Sequence, residues 1–208
     1  MPDVMILGLA RTSDTMKRLI DFRNEGEGEV WTLNDYFNYY PVSFADLIFN
    51  LHSPEMLEVI DKEGAKNYNY KDHYNESKAG VVTLQPIAGL RNQSTFQVDE
   101  QAEPYWYACS ICCMLYYAML KKHNVVIEGI RLGVGYDGTV DTEGGEYDYE
   151  VAPVVQCIEA IRANATVTVD DDLWKAWKLK ADYNAMVGET PAFVPYWMRY
   201  DKLGNVIT

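Results

Sequence analysis

Basic residues are scarce in this chain: 18 Lys and Arg stand against 31 Asp and Glu, for a formal net charge of -13. A face that tracks a phosphate backbone needs clustered cations. None is present, so groove-bound nucleic acid is not the expected partner. The acidity reads first as solubility; an acidic face that docks a basic protein or mimics DNA is the alternative. No apolar run is long enough to span a bilayer. The opening MPDVMILGLA lacks a basic segment and carries Asp3, so it is not expected to be a secretory signal. A cytoplasmic protein is the expectation.

Cysteine and histidine are also few. Cys109, Cys112 and Cys113 fall in one stretch, with Cys157 apart. The C-x-x-C spacing has no second pair and no histidine cluster to complete a zinc site. Its neighbours Trp106, Ile111, Met114, Leu115 and Met119 are apolar. Buried structural thiols are therefore expected, as in a reducing compartment. No dedicated metal site is expected, and no cofactor is required, although Mg²⁺ held loosely beside phosphates is compatible with the sequence. There is no internal repeat, no low-complexity segment and no G-x-G-x-x-G, so a glycine-rich dinucleotide site is not supported.

What is present is an alternation of strand and helix signals. A continuous apolar run at 3–10 reads as a covered parallel strand, and Thr12, Ser13 and Asp14 open a helix reaching to about residue 24. Strands are expected at 29–34, 44–51, 80–84, 124–130 and 166–169. Helices are expected at 52–64, 103–123, 147–164 and 171–187. Segments 65–79 and 86–103 read as irregular, and 133–145 as a Gly-rich binding loop or lid. The alternation predicts one α/β Rossmann-like domain, with a mostly parallel sheet and helices on both faces, over 1–187. Residues 188–208 are expected to form a tail or small hairpin around Leu203, Gly204 and Asn205.

In such sheets ligands bind outside the carboxyl ends of the strands. Arg11, Thr12 and Ser13 follow the first strand, Asn34 and Asp35 the second, and Asn50 and His52 the third. A helix N-terminus suits a phosphate, and an Asn amide suits the edge of a base or a ribose. Asn-Asp after a strand is also ordinary turn chemistry. The recurrence at three strand ends favours a nucleotide pocket.

The stretches DVMILGLARTSDT, EVWTLNDYFNYYP and FADLIFNLHSP, followed by YACSICCMLYYAMLKKHNVVIEGIRLG and GGEYDYEVAPVVQCIEAIRANATVTV, resemble a known arrangement. It is that of the Rossmann-type glycosyltransferases typified by bacterial sialyltransferases that use CMP-sialic acid. The stretches are also similar to the hydroxymethylpterin pyrophosphokinase-like family and to uncharacterised phage-encoded proteins. The resemblance implies a nucleotide or nucleotide-sugar donor, CMP- or UDP-linked. It places Ala10, Arg11, Thr12 and Ser13 beside phosphate or ribose, Asn34 at the cytosine or ribose, and Asn50 in the same pocket. Ser110 falls in the helix that meets the donor. The chain departs from the pattern at Ala108-Cys109-Ser110, where a small Ser-Ser-Gly-like opening is usual, and it has no clear counterpart of the catalytic His.

An enzyme of this kind needs a base for the acceptor hydroxyl. His73, Glu146, Asp148 and Glu150 are candidates, and Tyr147 and Tyr149 suit contact with a sugar or base. The competing expectations are a non-catalytic phage protein that sequesters a nucleotide signal in the host cytoplasm, and an acidic interaction module whose surface or tail at 195–208 binds a partner or a second copy of itself.

Overall fold

The computed structural model describes residues 2–26, 28–34, 36–53, 70–134 and 148–186. Apolar stretches of four or five residues form the central strands: β1 (Val4–Leu7), β2 (Glu29–Leu33), β3 (Leu47–Asn50), β4 (Gly80–Thr83) and β6 (Val125–Glu128). Two shorter strands complete the sheet, β5 (Gln93–Thr95) and β7 (Val167–Thr168). The strand order is β5-β4-β3-β2-β1-β6-β7, and every pair is parallel. The α-helices among the described residues are α1 (Ser13–Glu25), α2 (Tyr70–Glu76), α3 (Ser110–Lys121), α4 (Asp148–Arg162) and α5 (Asp171–Met186).

Alternation along each strand divides the core in two. Val4, Ile6, Trp31, Phe49, Val82, Val125 and Ile127 join the buried residues of α3 and α4 and Trp177 of α5. Met5, Leu7, Val30, Ile48 and Val81 face the other way, onto Leu19 and Phe22 of α1 and Tyr70 and Tyr74 of α2. Burial on both faces explains why the strands read as unbroken apolar runs. The expected Rossmann-like α/β domain with helices on both faces is therefore what these residues form.

Three local expectations are corrected. Residues 70–76 are helical rather than irregular, because Tyr70 and Tyr74 lie one turn apart and bury together on the sheet. Segment 86–103 contributes β5, an edge strand whose polar Gln93, Ser94 and Thr95 hide its pairing with β4. The single helix expected over 103–123 is broken. Pro104–Tyr107 forms a 3₁₀ turn, Cys109 is extended at φ -157 and ψ 172, and the α-helix starts at Ser110. The helix expected at 52–64 falls almost wholly outside the described residues, as do the Gly-rich loop from 135 and the tail at 188–208.

The chain goes from β1 outward to β5 and returns to the other side of β1 as β6, so strand order reverses between β1 and β6. There the backbones nearly touch. Gly8 N–H donates to Glu128 O at 2.8 Å, and Ala10 N–H donates to Gly129 O at 2.9 Å. A Cβ on Gly8 would stand 2.3 Å from Gly129 O and 2.6 Å from Ile130 Cγ1. Gly129 has a left-handed φ of +67, which glycine adopts without steric cost. Gly8→Ala is expected to destabilise the fold by about 3 kcal/mol, the range for forcing a group into a packed backbone contact. Urea unfolding monitored by Trp fluorescence measures it, and a wild-type midpoint would contradict this reading of the contact.

Candidate functional site

Four strand ends meet along the carboxyl edge, in the spatial order β3, β2, β1, β6. Next to the point of reversal lies a cavity of about 370 Å³, lined by Thr12, Asp14, Thr15 and Arg18 of α1, residues 127–131 after β6, and Asp170, Asp172 and Leu173 at the start of α5. Thr12 shapes its rim by capping α1, accepting a hydrogen bond from Thr15 N–H at 3.0 Å. Asp170 does the same for α5, accepting from Leu173 N–H at 3.1 Å.

The charge in the cavity is organised around Arg18. Its Nη1 donates to Glu128 Oε1 at 2.8 Å, and its Nη2 lies 3.9 Å from Asp170 Oδ2. The Glu128 side chain is only 10% exposed, so Arg18 compensates a carboxylate largely removed from water. The hydrogen bond to Glu128 also raises the Arg18 pKa, and the guanidinium remains charged. The loop leaving the cavity is anchored by α5. Trp177 Nε1 donates to Arg131 O at 2.9 Å, and Lys180 Nζ to Gly133 O at 3.4 Å. Between these anchors Leu132 holds a left-handed φ of 52, an unusual state for a branched side chain that the surrounding contacts must maintain.

Two strands away the edge is different in kind. Asn50 ends β3 fully buried, and its Oδ1 accepts from His52 N–H at 3.3 Å. Asn34 lies just past β2, half-buried, and its carbonyl accepts from Tyr74 Oη at 2.6 Å. Burial lowers the His52 pKa from 6.5 to about 4 and raises Tyr36 to about 12, so both are neutral at pH 7. His73 stacks flat on Phe37, with centroids 4.3 Å apart and an interplanar angle of 18°.

The anticipated site residues thus fall into separate groups. Thr12 lines the cavity, with Ala10 in the segment that leads to it. Arg11 and Ser13 are exposed and are not among the lining residues. Asn34, Asn50 and His52 form the neutral group at β2 and β3. Ser110 opens α3 behind Cys109, whose side chain makes no capping bond. Asp35, Glu146 and Tyr147 lie outside the described residues. Sequence reasoning missed Arg18, Glu128 and Asp170. Glu128 left one signal, as the single acid inside the apolar strand NVVIEGI. Arg18 left none, because its role depends on a residue 110 positions away.

The four cysteines are free and buried, and Cys109 Sγ donates to Cys112 Sγ at 3.4 Å. Burial holds both thiols well above their usual pKa, the condition of unreactive core thiols. Among the described residues no helix is long and apolar enough to cross a membrane, and no cluster of His, Cys, Asp or Glu could hold a metal ion. No protein-family model matches the chain, nor does any curated protein or solved structure.

Two outcomes follow from these contacts. Between pH 6.5 and about 4 the unfolded chain binds a proton at His52 that the folded chain refuses. Stability therefore rises with pH across that window, and acidification through it costs at most about 3 kcal/mol. His52→Gln should flatten this part of a pH-denaturation profile, and an unchanged profile would refute the assignment to His52. Arg18→Ala should cost about 1 kcal/mol in chemical denaturation, since Glu128 loses its partner while the pair is partly screened by water. Arg18→Ala/Glu128→Gln should recover most of that loss.

Proposed function

We propose that the chain binds a nucleotide-sugar, or the nucleotide alone, along the carboxyl edge of β3, β2, β1 and β6, as a glycosyltransferase-like enzyme. The observation that carries this reading is the polar cavity at the reversal of strand order, the position where open parallel sheets bind ligands. Glu128 and Asp170 are acceptors suited to sugar hydroxyls, and Arg18 beside them supplies donors. A bare phosphate would be repelled by Asp14, Glu128, Asp170 and Asp172, which outnumber Arg18 and Arg131. The sugar thus belongs in the cavity and the base at the neutral group beyond β2. The one phosphate of a CMP-sugar, or the two of a UDP-sugar, would lie between them near the first turn after β1, where Mg²⁺ would offset the acids. The resemblance of the strand-end segments to CMP-sialic-acid-dependent enzymes points the same way.

The histidines favour a second reading. A base that titrates near 4 is weak for deprotonating a hydroxyl at neutral pH, and His73 is engaged face to face with Phe37. A binder without turnover, which lowers a cytoplasmic nucleotide signal as a phage protein could, needs only the pocket.

A thermal-shift panel of CMP, UMP, GDP, ADP-ribose and CMP- and UDP-sugars tests the reading, with wild type, Asn34→Ala and Glu128→Gln. A ligand at a hundred times its Kd adds about 2.7 kcal/mol of stability. Glu128→Gln should weaken nucleotide-sugars more than nucleotides, and Asn34→Ala should weaken both. Sugar release in the same samples separates enzyme from binder. No shift with any ligand overturns both readings and directs attention to a protein partner of the acidic surface.

A further inference from the structure

The side chain of Asn50 has one half in use and one half idle. Its Oδ1 closes the turn after β3 by accepting from His52 N–H at 3.3 Å. Its Nδ2 is buried and has no hydrogen-bond partner. The turn needs only an acceptor oxygen, which Asp, Ser or Thr also provides. An amide adds a donor that is costly to strand away from water. The flanking hydroxyls spend their protons elsewhere. Thr83, the cross-strand partner of Asn50, donates to Ser94 O at 3.4 Å, and Thr32 donates to Leu7 O at 2.9 Å.

The position of this donor matters. The β2–β3 register pairs Leu33 with Phe49, so one residue further along Asn34 stands level with Asn50. Two amides therefore lie side by side at the carboxyl edge. Among the described residues, their neighbours Thr32, Thr83 and Tyr36 carry no charge at neutral pH, nor does His52. A charged acceptor would lose its hydration there without a countercharge, whereas a ring carbonyl or ring nitrogen would lose little. The acidic cavity, lined by the residues after β6, is three strand spacings away from β3, roughly 14 Å, a distance an extended nucleotide-sugar spans.

We infer that Asn50 Nδ2 is a recognition donor for an uncharged acceptor of the ligand, the carbonyl or ring nitrogen of a nucleobase, and that it sets base preference. This rests on the nucleotide reading above. It fixes the ligand's direction, with the base over the ends of β2 and β3 and the sugar over β1 and β6. The donor has no water-accessible surface, so the base must shift what covers it or displace a resident water.

The test uses CMP, UMP, AMP and GMP as probes, with affinities measured by calorimetry for wild type and Asn50→Ser. Ser keeps a turn acceptor, stays uncharged and has no N–H, and its hydroxyl is shorter than the amide arm. Wild type should prefer one base, and Asn50→Ser should reduce that preference by about 30-fold, the loss expected when a buried hydrogen-bonding group goes unsatisfied. In parallel, the side-chain amide of Asn50 is followed by NMR in ¹⁵N-Asn-labelled wild-type protein, which decides the matter even if the variant does not fold. One Nδ2 proton should move downfield on saturation with the preferred mononucleotide. Saturable binding with an unmoved amide, or an unchanged preference in a folded Asn50→Ser, overturns the inference and leaves the nucleotide reading standing. Absence of binding by all four mononucleotides to wild type overturns both.

Discussion

The contact on which the rest of this molecule depends is the approach of two backbones at Gly8 and Gly129. Gly8 has no room for a side chain, Gly129 holds a left-handed φ that disfavours one, and two hydrogen bonds, Gly8 N–H to Glu128 O and Ala10 N–H to Gly129 O, hold the chains together. This fixes where α1 begins relative to the end of β6. It brings Arg18, less than two turns into α1, within 2.8 Å of Glu128. The cavity at the strand reversal is the space these two constraints leave open, and α5 bounds it with Asp170 and Leu173. A methyl group at Gly8 would separate β1 from β6 and with them the charged groups.

From that crossing the edge of the sheet divides into a charged part and a neutral part. Around the cavity, carboxylates are compensated by a half-exposed guanidinium. At β2 and β3 the described groups are amides, hydroxyls, phenols and an imidazole that burial keeps unprotonated. A ligand complementary to both parts carries a neutral ring at one end and hydroxyls at the other. The loop after β6 is held in a left-handed turn at Leu132 and Gly133 by Trp177 and Lys180 of α5. The last described helix thus takes part in shaping the site.

Much of the fold was legible because burial on both faces leaves a strong trace. Runs such as VMIL and VVIE can be little else than covered strands, and Thr12 followed by Ser13 and Asp14 announces a helix start. The failures have common causes. The strand Gln93–Thr95, at the edge of the described sheet, is polar because its side chains are largely exposed, and helix Tyr70–Glu76 is too short for its pattern to stand out. The break at Cys109 hides in an apolar stretch, since both sides of it are buried in the same core.

The sequence by itself determined the alternation of elements, the two-faced core and the delivery of Asn34, Asn50 and Thr12 to strand ends. These are local matters of hydrophobic period and capping. Only the tertiary structure decided that β6 returns beside β1. That single choice of neighbour opposes Arg18 to Glu128 across 110 residues and puts Asp170 within 3.9 Å of the same guanidinium. The packing of β3 between β2 and β4 likewise left Asn50 with a buried donor and no partner. Pairing of charges and satisfaction of hydrogen bonds depend on distances between segments far apart in the chain, and no local pattern of residues encodes those distances.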